Sequence, residues 1–473
     1  MDKTENRESV KKYALIVSTL ASFSTPFIGN AVNLAILSIG EKFGSSAFML
    51  NWIVSCYLLT SAALLLPFGR LGDIIGRKKV FIFGLSIFCI SSLLCGTAWS
   101  TESLIVFRIL QGIGSAMSFG TNIAILTAVY PPSERGKVLG INTAAVYTGL
   151  SLGPVVGGIL NRRLGWESIF YFVFLIGATV LFLAATRLKG EWIGAKGEKY
   201  DKTGAFLYMF GMVAFIYGFS SIATSSSAKY ILALGFFIII LFIIQELKTE
   251  QPIFNIKFFS GNLAFAFSNV AALINYSATF ATTFLMSIFL QVVQGYNSET
   301  AGFILLSQPI IMALLSPFAG SLSDRVEPRI VSSFGMGLST LGLVFFVFLS
   351  SDTPAWLLIL NLMLLGTGFA FFSSPNTSAV MGSVPKQFYG VASSSLGTMR
   401  LIGQAVSMAI ATLIIDLHIG NAQLSPALAD LLTRSVKISF TIFAATCLFG
   451  IFASLARGNI SIPESEGKKE IKT

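Results

Sequence analysis

Gly69-Arg-Leu-Gly-Asp73-Ile-Ile-Gly-Arg77-Lys-Lys79 is the most informative stretch of this chain, and it lies between two long apolar runs. It holds one carboxylate, four cations and three glycines in eleven residues. Charged side chains are costly inside a lipid bilayer, so the stretch must lie at the water boundary. The pattern indicates two helix ends that pack closely on one membrane face and are joined by charge.

The composition of the whole chain indicates its structural class. The 473 residues are 54% hydrophobic and 11% charged, with a mean hydropathy of +0.77, whereas soluble domains carry about 25% charged residues. Apolar runs of about 20 residues predict membrane-spanning helices, because lipid offers no partner to backbone N–H and C=O groups. We therefore predict an all-α membrane protein with fourteen spans, at residues 13–39, 49–69, 79–98, 102–128, 137–160, 168–186, 204–222, 230–246, 262–292, 300–322, 330–350, 355–377, 390–416 and 436–456.

Basic residues set the expected orientation, because cytoplasmic segments of membrane proteins are enriched in Lys and Arg. With the N-terminus placed in the cytoplasm, 24 of the 32 Lys and Arg residues lie in cytoplasmic segments and 6 in outer segments, while Arg108 and Arg400 lie inside spans. Both termini are therefore expected in the cytoplasm, in a prokaryotic cell membrane. The net charge of +10 is attributed to orientation and to anionic lipid head groups rather than to nucleic acid.

Few residues offer metal or covalent chemistry. The cysteines Cys56, Cys89, Cys95 and Cys447 form no Cys-x-x-Cys pair, and the single histidine is His418. We therefore expect no metal site and no cofactor. The sequence has no Gly-x-x-x-x-Gly-Lys-Ser/Thr loop for ATP, and spans without clustered His, Asp or Glu do not fit a membrane-embedded enzyme.

The chain also repeats itself. Gly69-x-x-x-Asp73 recurs as Gly320-x-x-x-Asp324, 251 residues later. A second series recurs 254 residues later, with Gly112, Gly114, Asn122, Pro131, Gly136 and Gly149 matched by Gly366, Gly368, Asn376, Pro385, Gly390 and Gly403. The duplication predicts a six-helix bundle at 1–188, a cytoplasmic linker with two inserted spans at 189–257, a second six-helix bundle at 258–457 and a cytoplasmic tail at 458–473.

These residues together resemble the major facilitator superfamily and, within it, the fourteen-span drug:proton antiporter branch of the multidrug efflux type. Gly69–Lys79 is similar to the family's cytoplasmic loop motif between spans 2 and 3, and Arg108–Gly114 to its fourth-span motif. Gly149–Gly158 resembles the fifth-span motif associated with antiporters. The resemblance implies two bundles that rock around a central cavity.

Two elements of the resemblance have alternative interpretations. Asp73 and Arg77 are predicted to latch the cytoplasmic side closed, since a carboxylate there can bond a helix N-terminus or a guanidinium; the alternative is a loop whose charges only set topology. Asp324 is the expected weaker second copy, because Glu327 stands where the first copy has Gly76.

Small residues and buried cations form a second group of candidates. Gly153, Pro154 and Gly157 are predicted to form a kinked, dry seal between the bundles, with ordinary small-residue packing as the alternative. Arg108 is interpreted as a coupling or gating residue, or else as a hub for backbone carbonyls. Arg400 either contacts substrate or serves as a helix-packing hub.

One departure from the branch bears on proton coupling. The resemblance implies an aspartate five residues before Asn33, and this chain has Ile28 there. No Asp or Glu lies deep in the twelve duplicated spans. The usual proton carrier is therefore missing, although the resemblance implies ion coupling.

The central cavity is expected to be lined by aromatic and amide side chains. Aromatic side chains also pack or face lipid, and an amide can serve only to satisfy a neighbouring backbone group. The candidates are Phe27, Asn30, Asn33, Tyr57, Gln111, Asn122, Tyr147, Asn275, Tyr276, Asn361 and Asn376.

The sequence therefore predicts a secondary active exporter of hydrophobic or amphipathic small molecules, drug-like or lipidic, working by alternating access. The alternative is an uncoupled or differently coupled transporter of one specific metabolite. The expected partners are the small-molecule substrate, membrane lipids and, by resemblance, protons, with no nucleic acid. The chain is expected to be a monomer.

Overall fold

The computed structural model describes residues 3–45, 47–220, 227–419 and 428–457. Its first six helices are α1 (Lys3–Phe43), α2 (Ala47–Ile75), α3 (Arg77–Gly96), α4 (Thr101–Val129), α5 (Pro132–Leu164) and α6 (Glu167–Thr186). An inserted hairpin of α7 (Lys202–Ser220) and α8 (Ala228–Lys248) follows. The last part comprises α9 (Ile256–Gly261), α10 (Leu263–Thr279), α11 (Thr282–Ile288), α12 (Ser298–Ser323), α13 (Pro328–Val347), α14 (Ala355–Gly382), α15 (Tyr389–Ile419) and α16 (Ala429–Leu455).

Fourteen helical segments of the described residues are long and apolar enough to cross a membrane. This confirms the predicted all-α, fourteen-span architecture. The predicted tail, 458–473, lies outside the described residues, and the domain boundaries stay predictions.

Local sequence signals explain several helix starts. At the start of α4, Ser100 accepts the backbone N–H of Ser103 at 3.2 Å, and the Ser103 hydroxyl accepts the N–H of Ser100 at 3.1 Å, which forms a capping box. Asn262 caps α10 in the simpler way, through the N–H of Phe265 at 3.0 Å. These caps satisfy backbone donors that would otherwise lack partners at the ends of the spans.

Gly76 separates α2 from α3 at a φ of +120°, a conformation that L side chains rarely adopt. A Cβ there would lie 2.6 Å from Cδ of Glu191. Glu327 occupies the equivalent turn before α13 at a φ of −52°. The second turn therefore has no need of glycine, which is the physical reason for the departure seen in the sequence repeat.

Equivalent positions of the repeat make equivalent contacts. A Cβ on Gly112 would lie 2.8 Å from the carbonyl oxygen of Tyr57, and one on Gly366 would lie 2.5 Å from that of Gln308. The matched pair Gly149 and Gly403 approaches the carbonyl oxygens of α1 and α10 in the same way. The two six-helix bundles are thus built alike, each with its helix backbones in close approach at the same points.

The span predicted over 262–292 is interrupted. It consists of α10, α11 and a π-helical turn at Phe289–Val293, with a break at residues 280–281. At the break, the backbone N–H of Ala281 donates to Oγ of Ser407 at 3.0 Å. A hydroxyl of α15 therefore supplies the acceptor that the interrupted helix does not.

The inserted hairpin lies against both bundles. Tyr208 of α7 hydrogen-bonds Thr398 of α15 through its hydroxyl at 2.8 Å and packs in an apolar cluster with Ala63 and Leu66 of α2. Little of α8 is buried, as expected of a helix that faces lipid.

We call the membrane face that carries the Gly69–Lys79 stretch the basic face.

Candidate functional site

The two bundles are joined at two contacts, which we call the first and the second crossing. The first crossing joins the end of α2 to the start of α15 on the basic face. Asp73 is fully buried there, and its carboxylate accepts the backbone N–H groups of Gly390 at 2.9 Å and Val391 at 3.0 Å. It also accepts Nε and Nη2 of Arg77 at 2.8 and 2.7 Å. Free N–H groups and the helix dipole stabilise an anion at a helix N-terminus. Asp73 therefore ties one bundle to the other.

Arg77 adds a second link across this crossing. Its Nη2 donates to the carbonyl oxygen of Lys386, and its guanidinium lies 5.3 Å from the ring centroid of Tyr389. Arg135, near the start of α5, lies 5.4 Å from the same ring and donates to the Tyr389 hydroxyl at 2.9 Å. Two cations from the first bundle thus contact one aromatic ring of the second, in the geometry of cation–π attraction.

The connection that follows α6 also lies on the first crossing. The backbone N–H groups of Gly194 and Ala195 donate to the carbonyl oxygen of Asp73 at 3.0 and 2.8 Å. The carbonyl oxygen of Trp192 accepts the N–H of Arg77 at 3.1 Å. We call residues 191–198 the linker strap, because they run across the Asp73–Arg77 pair.

The second crossing joins the end of α12 to the start of α5. Asp324 accepts the backbone N–H groups of Gly136 at 2.6 Å and Lys137 at 2.9 Å. Burial raises the pKa of the Asp324 carboxyl, and the two N–H donors oppose that rise. Within the described residues no guanidinium bonds Asp324, and Arg329 pairs instead with Glu327 at 3.1 Å. The copy is therefore the simpler one, as its sequence suggests.

Glycines let the backbones meet at both crossings. A Cβ on Gly390 would lie 2.3 Å from the carbonyl oxygen of Gly69, and one on Gly320 would lie 2.1 Å from that of Gly136. No real side chain fits at these distances. The structure thus brings Asp73, with these glycines, to the bundle boundary that the latch interpretation requires, while its effect on transport stays a prediction.

Arg108 lies inside the first bundle and is fully buried. Its Nε donates to the carbonyl oxygen of Ile53 at 3.0 Å, its Nη1 donates to Oε1 of Gln111 at 2.6 Å, and its guanidinium lies 4.2 Å from the ring centroid of Tyr57. Gln111 in turn donates to Oγ of Ser92 at 2.8 Å. This arrangement fits the second interpretation of Arg108, a hub that bonds polar groups of neighbouring helices, rather than requiring a coupling or gating role. It holds the cavity candidates Tyr57 and Gln111 within the bundle.

The fifth-span glycines face α1 of their own bundle. A Cβ on Gly153 would lie 2.9 Å from the carbonyl oxygen of Phe27, and one on Gly157 would lie 2.7 Å from Cβ of Ala31. Pro154 lies inside α5, between these two contacts. The predicted seal between bundles is therefore corrected for this structure: these residues pack two helices of one bundle, because glycines without side chains let α5 approach the backbone of α1 closely.

An aromatic cluster lies where the two bundles meet in the membrane. Tyr147 of α5 and Tyr276 of α10 each pack edge-to-face on Phe369 of α14, with ring centroids 5.8 and 5.1 Å apart. Arg400 of α15 lies 5.5 Å from the Tyr276 ring centroid and donates from Nη2 to Oγ1 of Thr377 at 3.2 Å. Its Nε is buried and has no hydrogen-bond partner. The cluster therefore combines apolar ring faces with an unused cationic donor.

Several amide side chains that were predicted to line the cavity bond backbone carbonyls within one bundle. Nδ2 of Asn122 donates to the carbonyl oxygen of Ser18, and Nδ2 of Asn376 donates to that of Ser268, both at 3.1 Å. Asn361 donates to the carbonyl oxygen of Gly342 at 2.9 Å. These side chains tie neighbouring helices of one bundle, and the structure does not place them in the aromatic cluster.

The remaining candidates are dispersed. Asn30 donates to the carbonyl oxygen of Leu150 at 3.1 Å, and Asn33 is exposed. Phe27 is buried and stacks on Phe23 at a centroid distance of 5.4 Å. Both polar atoms of the Asn275 side chain are buried and unpartnered, one residue before Tyr276. Asn275 therefore has buried hydrogen-bonding capacity that the protein does not use.

Sequence reasoning missed Phe369 and Arg457. Phe369 is one of 43 phenylalanines, and its only signal is that it stands where the first copy of the repeat has Ser115. Arg457 is buried at the end of the last span and donates from Nη1 to Oδ1 of Asn376 at 2.9 Å. The feature of the sequence that could have identified Arg457 is its position directly after an apolar run.

Comparison with known proteins agrees with this architecture. The family model described as Major Facilitator Superfamily matches residues 18–408 and again 268–472. The riboflavin transporter RibZ of Clostridioides difficile is 29% identical over 448 residues, covering 94% of this chain and 97% of the relative. The multidrug resistance protein Stp of Mycobacterium tuberculosis is 29% identical over 406 residues, covering 84% and 74%.

Two further comparisons extend the range of relatives. The methylenomycin A resistance protein of Bacillus subtilis is 28% identical over 421 residues, covering 87% of this chain and 89% of the relative. Among solved structures, the human organic anion transporter MFSD10 (TETRAN) superposes with a TM-score of 0.62 at 16% identity, covering 96% of this chain and all of that one; this likeness concerns the fold alone. The chain, matched over most of its length by the family model, belongs to the major facilitator superfamily and is a multi-pass membrane transporter.

Proposed function

We propose that this transporter exports amphipathic, ring-bearing small molecules, and that they bind at the aromatic cluster. The observation that carries the proposal is the position of Tyr147, Tyr276 and Phe369, which come from three helices of both bundles. A solute held between these rings contacts both moving parts at once. Alternating access needs such a site, because binding must then favour the rearrangement of one bundle against the other.

Charge narrows the class of substrate. Arg400 presents a buried, unpartnered Nε beside the cluster. No hydrogen bond or ion pair joins Arg400 to a carboxylate within the described residues. A cation without a counter-charge favours a neutral substrate with a hydrogen-bond acceptor, or an anion, over a permanently cationic one.

The relatives support two candidate functions, which are efflux of several compounds and transport of one specific metabolite. Proteins named for multidrug and methylenomycin A resistance support efflux. The riboflavin transporter supports the second candidate, a transporter of one specific metabolite with a planar ring system. Ion coupling and the antiport mode enter this proposal through the family resemblance, since Ile28 replaces the usual acid.

Orientation completes the proposal. The basic face would be cytoplasmic, with both termini on that side of the cell membrane, because Lys and Arg concentrate there. In that orientation, the crossings at Asp73 and Asp324 would close the transporter towards the cytoplasm. The two bundles of one chain build the whole cluster, so a monomer suffices.

Binding by the purified protein tests the proposal directly. Three fluorescent probes of different charge would be titrated: neutral riboflavin, anionic fluorescein and cationic ethidium. We expect riboflavin and fluorescein to bind more tightly than ethidium. Phe369→Ala should weaken the binding of each bound probe by roughly 2- to 12-fold, since an aromatic contact contributes about 0.5–1.5 kcal/mol beyond its area.

Phe371→Ala is the matched control, because Phe371 lies two residues along α14 and packs instead on Phe318 and Phe334. Arg400→Gln should reduce fluorescein binding more than riboflavin binding. Tight binding of ethidium that Phe369→Ala leaves unchanged would refute both the site and the charge preference. Efflux of the bound probe from proteoliposomes would then test the direction of transport.

A further inference from the structure

The inserted hairpin contains a pair of carboxyl groups that the proposed function does not use. Asp201 precedes α7, and Glu246 lies in the last turn of α8 with only 3% of its surface exposed. Both lie near the basic face. A Cβ on Gly204 would lie 2.2 Å from Oε1 of Glu246 and 2.6 Å from Oδ2 of Asp201. The two oxygens therefore flank one point and face each other.

Each carboxyl group has one satisfied and one unsatisfied oxygen. Oδ1 of Asp201 accepts the backbone N–H of Gly204 at 2.9 Å, and Oε2 of Glu246 accepts that of Phe254 at 2.6 Å. Oδ2 of Asp201 and Oε1 of Glu246 are buried without a donor. Two ionised carboxylates facing each other without a cation between them are strongly unfavourable, whereas one shared proton turns the contact into a hydrogen bond.

Three other titratable groups surround this pair. Arg70 of α2 lies close enough to Glu246 for its positive charge to stabilise the Glu246 carboxylate. Tyr200 of the preceding connection lies close enough to Asp201 and Glu246 to be affected by their negative charge. Arg70 is itself buried, and its Nη2 forms an ion pair with Glu198 of the linker strap. Its Nε and Nη1 are buried without acceptors. Unused donors on Arg70 thus lie near unused acceptors on the pair.

We propose that Asp201 and Glu246 form a proton-binding site that holds one shared proton taken from water at the basic face, and that its occupancy decides how Arg70 is shared. With the proton bound, the pair is satisfied internally and Arg70 bonds Glu198 of the linker strap. With the proton lost, the extra negative charge attracts the free Nε and Nη1 of Arg70 towards Glu246. The proton leaves to water, and no covalent bond between heavy atoms changes.

The linker strap gives this site a mechanical consequence. Arg70 lies three residues before Asp73 on α2, and the strap that carries Glu198 also bonds the carbonyl oxygen of Asp73. Pulling Arg70 away from Glu198 weakens the hold of α2 on the strap at the first crossing. The site therefore links the pH at the basic face to strap docking, whichever substrate the transporter carries.

Infrared difference spectroscopy of the purified full-length protein tests proton binding. We expect the carbonyl stretch of a protonated carboxyl group near neutral pH, lost on alkalinisation. Glu246→Gln should abolish this band while keeping the shape of the side chain. Asp201→Asn should abolish or shift it and retains an oxygen that can cap α7. Glu250→Gln, an exposed acid just beyond α8, is the matched control and should leave the band unchanged.

A second measurement tests the link to the strap. Lys196→Cys places a thiol on an exposed strap position, and its rate of modification should rise as pH rises through the range in which the infrared band disappears. The same rate should follow only the intrinsic thiol titration in Glu246→Gln. A carboxyl band that persists unaltered in both Glu246→Gln and Asp201→Asn would overturn the proton site. An identical pH profile of labelling with and without Glu246 would overturn its coupling to the strap.

Discussion

Replacement of Asp73 by asparagine should open the basic face without unfolding the protein. The carboxylate serves two sets of donors: Arg77, which belongs to the same bundle, and the N–H groups of Gly390 and Val391, which belong to the other. The contact with Arg77 persists when the bundles separate, so its loss affects both states. Of the bonds that the Asp73 side chain makes, only those to Gly390 and Val391 differ between the closed and the open state.

The magnitude follows from those two bonds. Asparagine keeps one acceptor, so one buried N–H loses its partner, which costs about 1–3 kcal/mol. Loss of the negative charge at the N-terminus of α15 adds about 0.3–1 kcal/mol. The closed state should therefore be weakened by about 1.3–4 kcal/mol, which raises the ratio of open to closed state by roughly 9- to 700-fold.

Thiol labelling at Ser374 provides the assay. Ser374 is fully buried, and its Oγ lies 3.4 Å from the carbonyl oxygen of Gly136 at the second crossing. Ser374→Cys should react slowly in the native background and faster with Asp73→Asn, in proportion to the open population. The native cysteines are buried, and Asp352→Asn on an exposed loop is the charge-matched control. An unchanged labelling rate in a folded Asp73→Asn protein would show that this carboxylate does not hold the bundles together.

Three further substitutions separate the roles of other residues. Asp324→Asn should raise the same labelling rate less than Asp73→Asn does, because Asp324 is only half-buried and, among the described residues, no guanidinium bonds it; an equal or larger rise would contradict this order. Gly157→Leu should lower the thermal midpoint by overpacking α1, at a cost of about 1–3 kcal/mol, while Gly29→Ala, with open space around its Cβ, should not; a Leu variant of native stability would contradict the packing argument. Ile28→Asp should destabilise the first bundle rather than create proton coupling, because Ile28 is fully buried in an apolar core, and a stable Asp variant with pH-dependent transport would refute this reasoning.

The fold was predictable because the length and apolar character of each span are local properties of the sequence. The fourteen apolar runs correspond to fourteen membrane-length helical segments within the described part of the chain. The break in the ninth span was not predictable in the same way. It occurs between Thr279 and Thr282, where no proline interrupts the run, and its missing acceptor comes from Ser407, more than a hundred residues away.

The site was predictable only in part, because spacing along one helix does not say which neighbour the helix faces. Asp73, Tyr147, Tyr276 and Arg400 all lie at the bundle boundary in the structure. The amides Asn122 and Asn376 face inward to their own bundles instead. Polar residues in lipid need partners in every case, and a backbone carbonyl of the next helix satisfies an amide as well as a solute does.

The two crossings have the form of an isologous contact between two like subunits. Each half of the chain contributes one carboxylate and one helix N-terminus: Asp73 of the first half binds the start of α15, and Asp324 of the second half binds the start of α5. In a symmetric dimer, a residue that contacts a second residue across the axis is contacted by it in return, so one surface supplies both contacts. A single ancestral six-helix unit with this carboxylate and this helix start would have closed its own dimer at two points. Fusion of two such genes would then free one copy to change, and the guanidinium partner is the part that differs, since Arg77 supports only the first crossing.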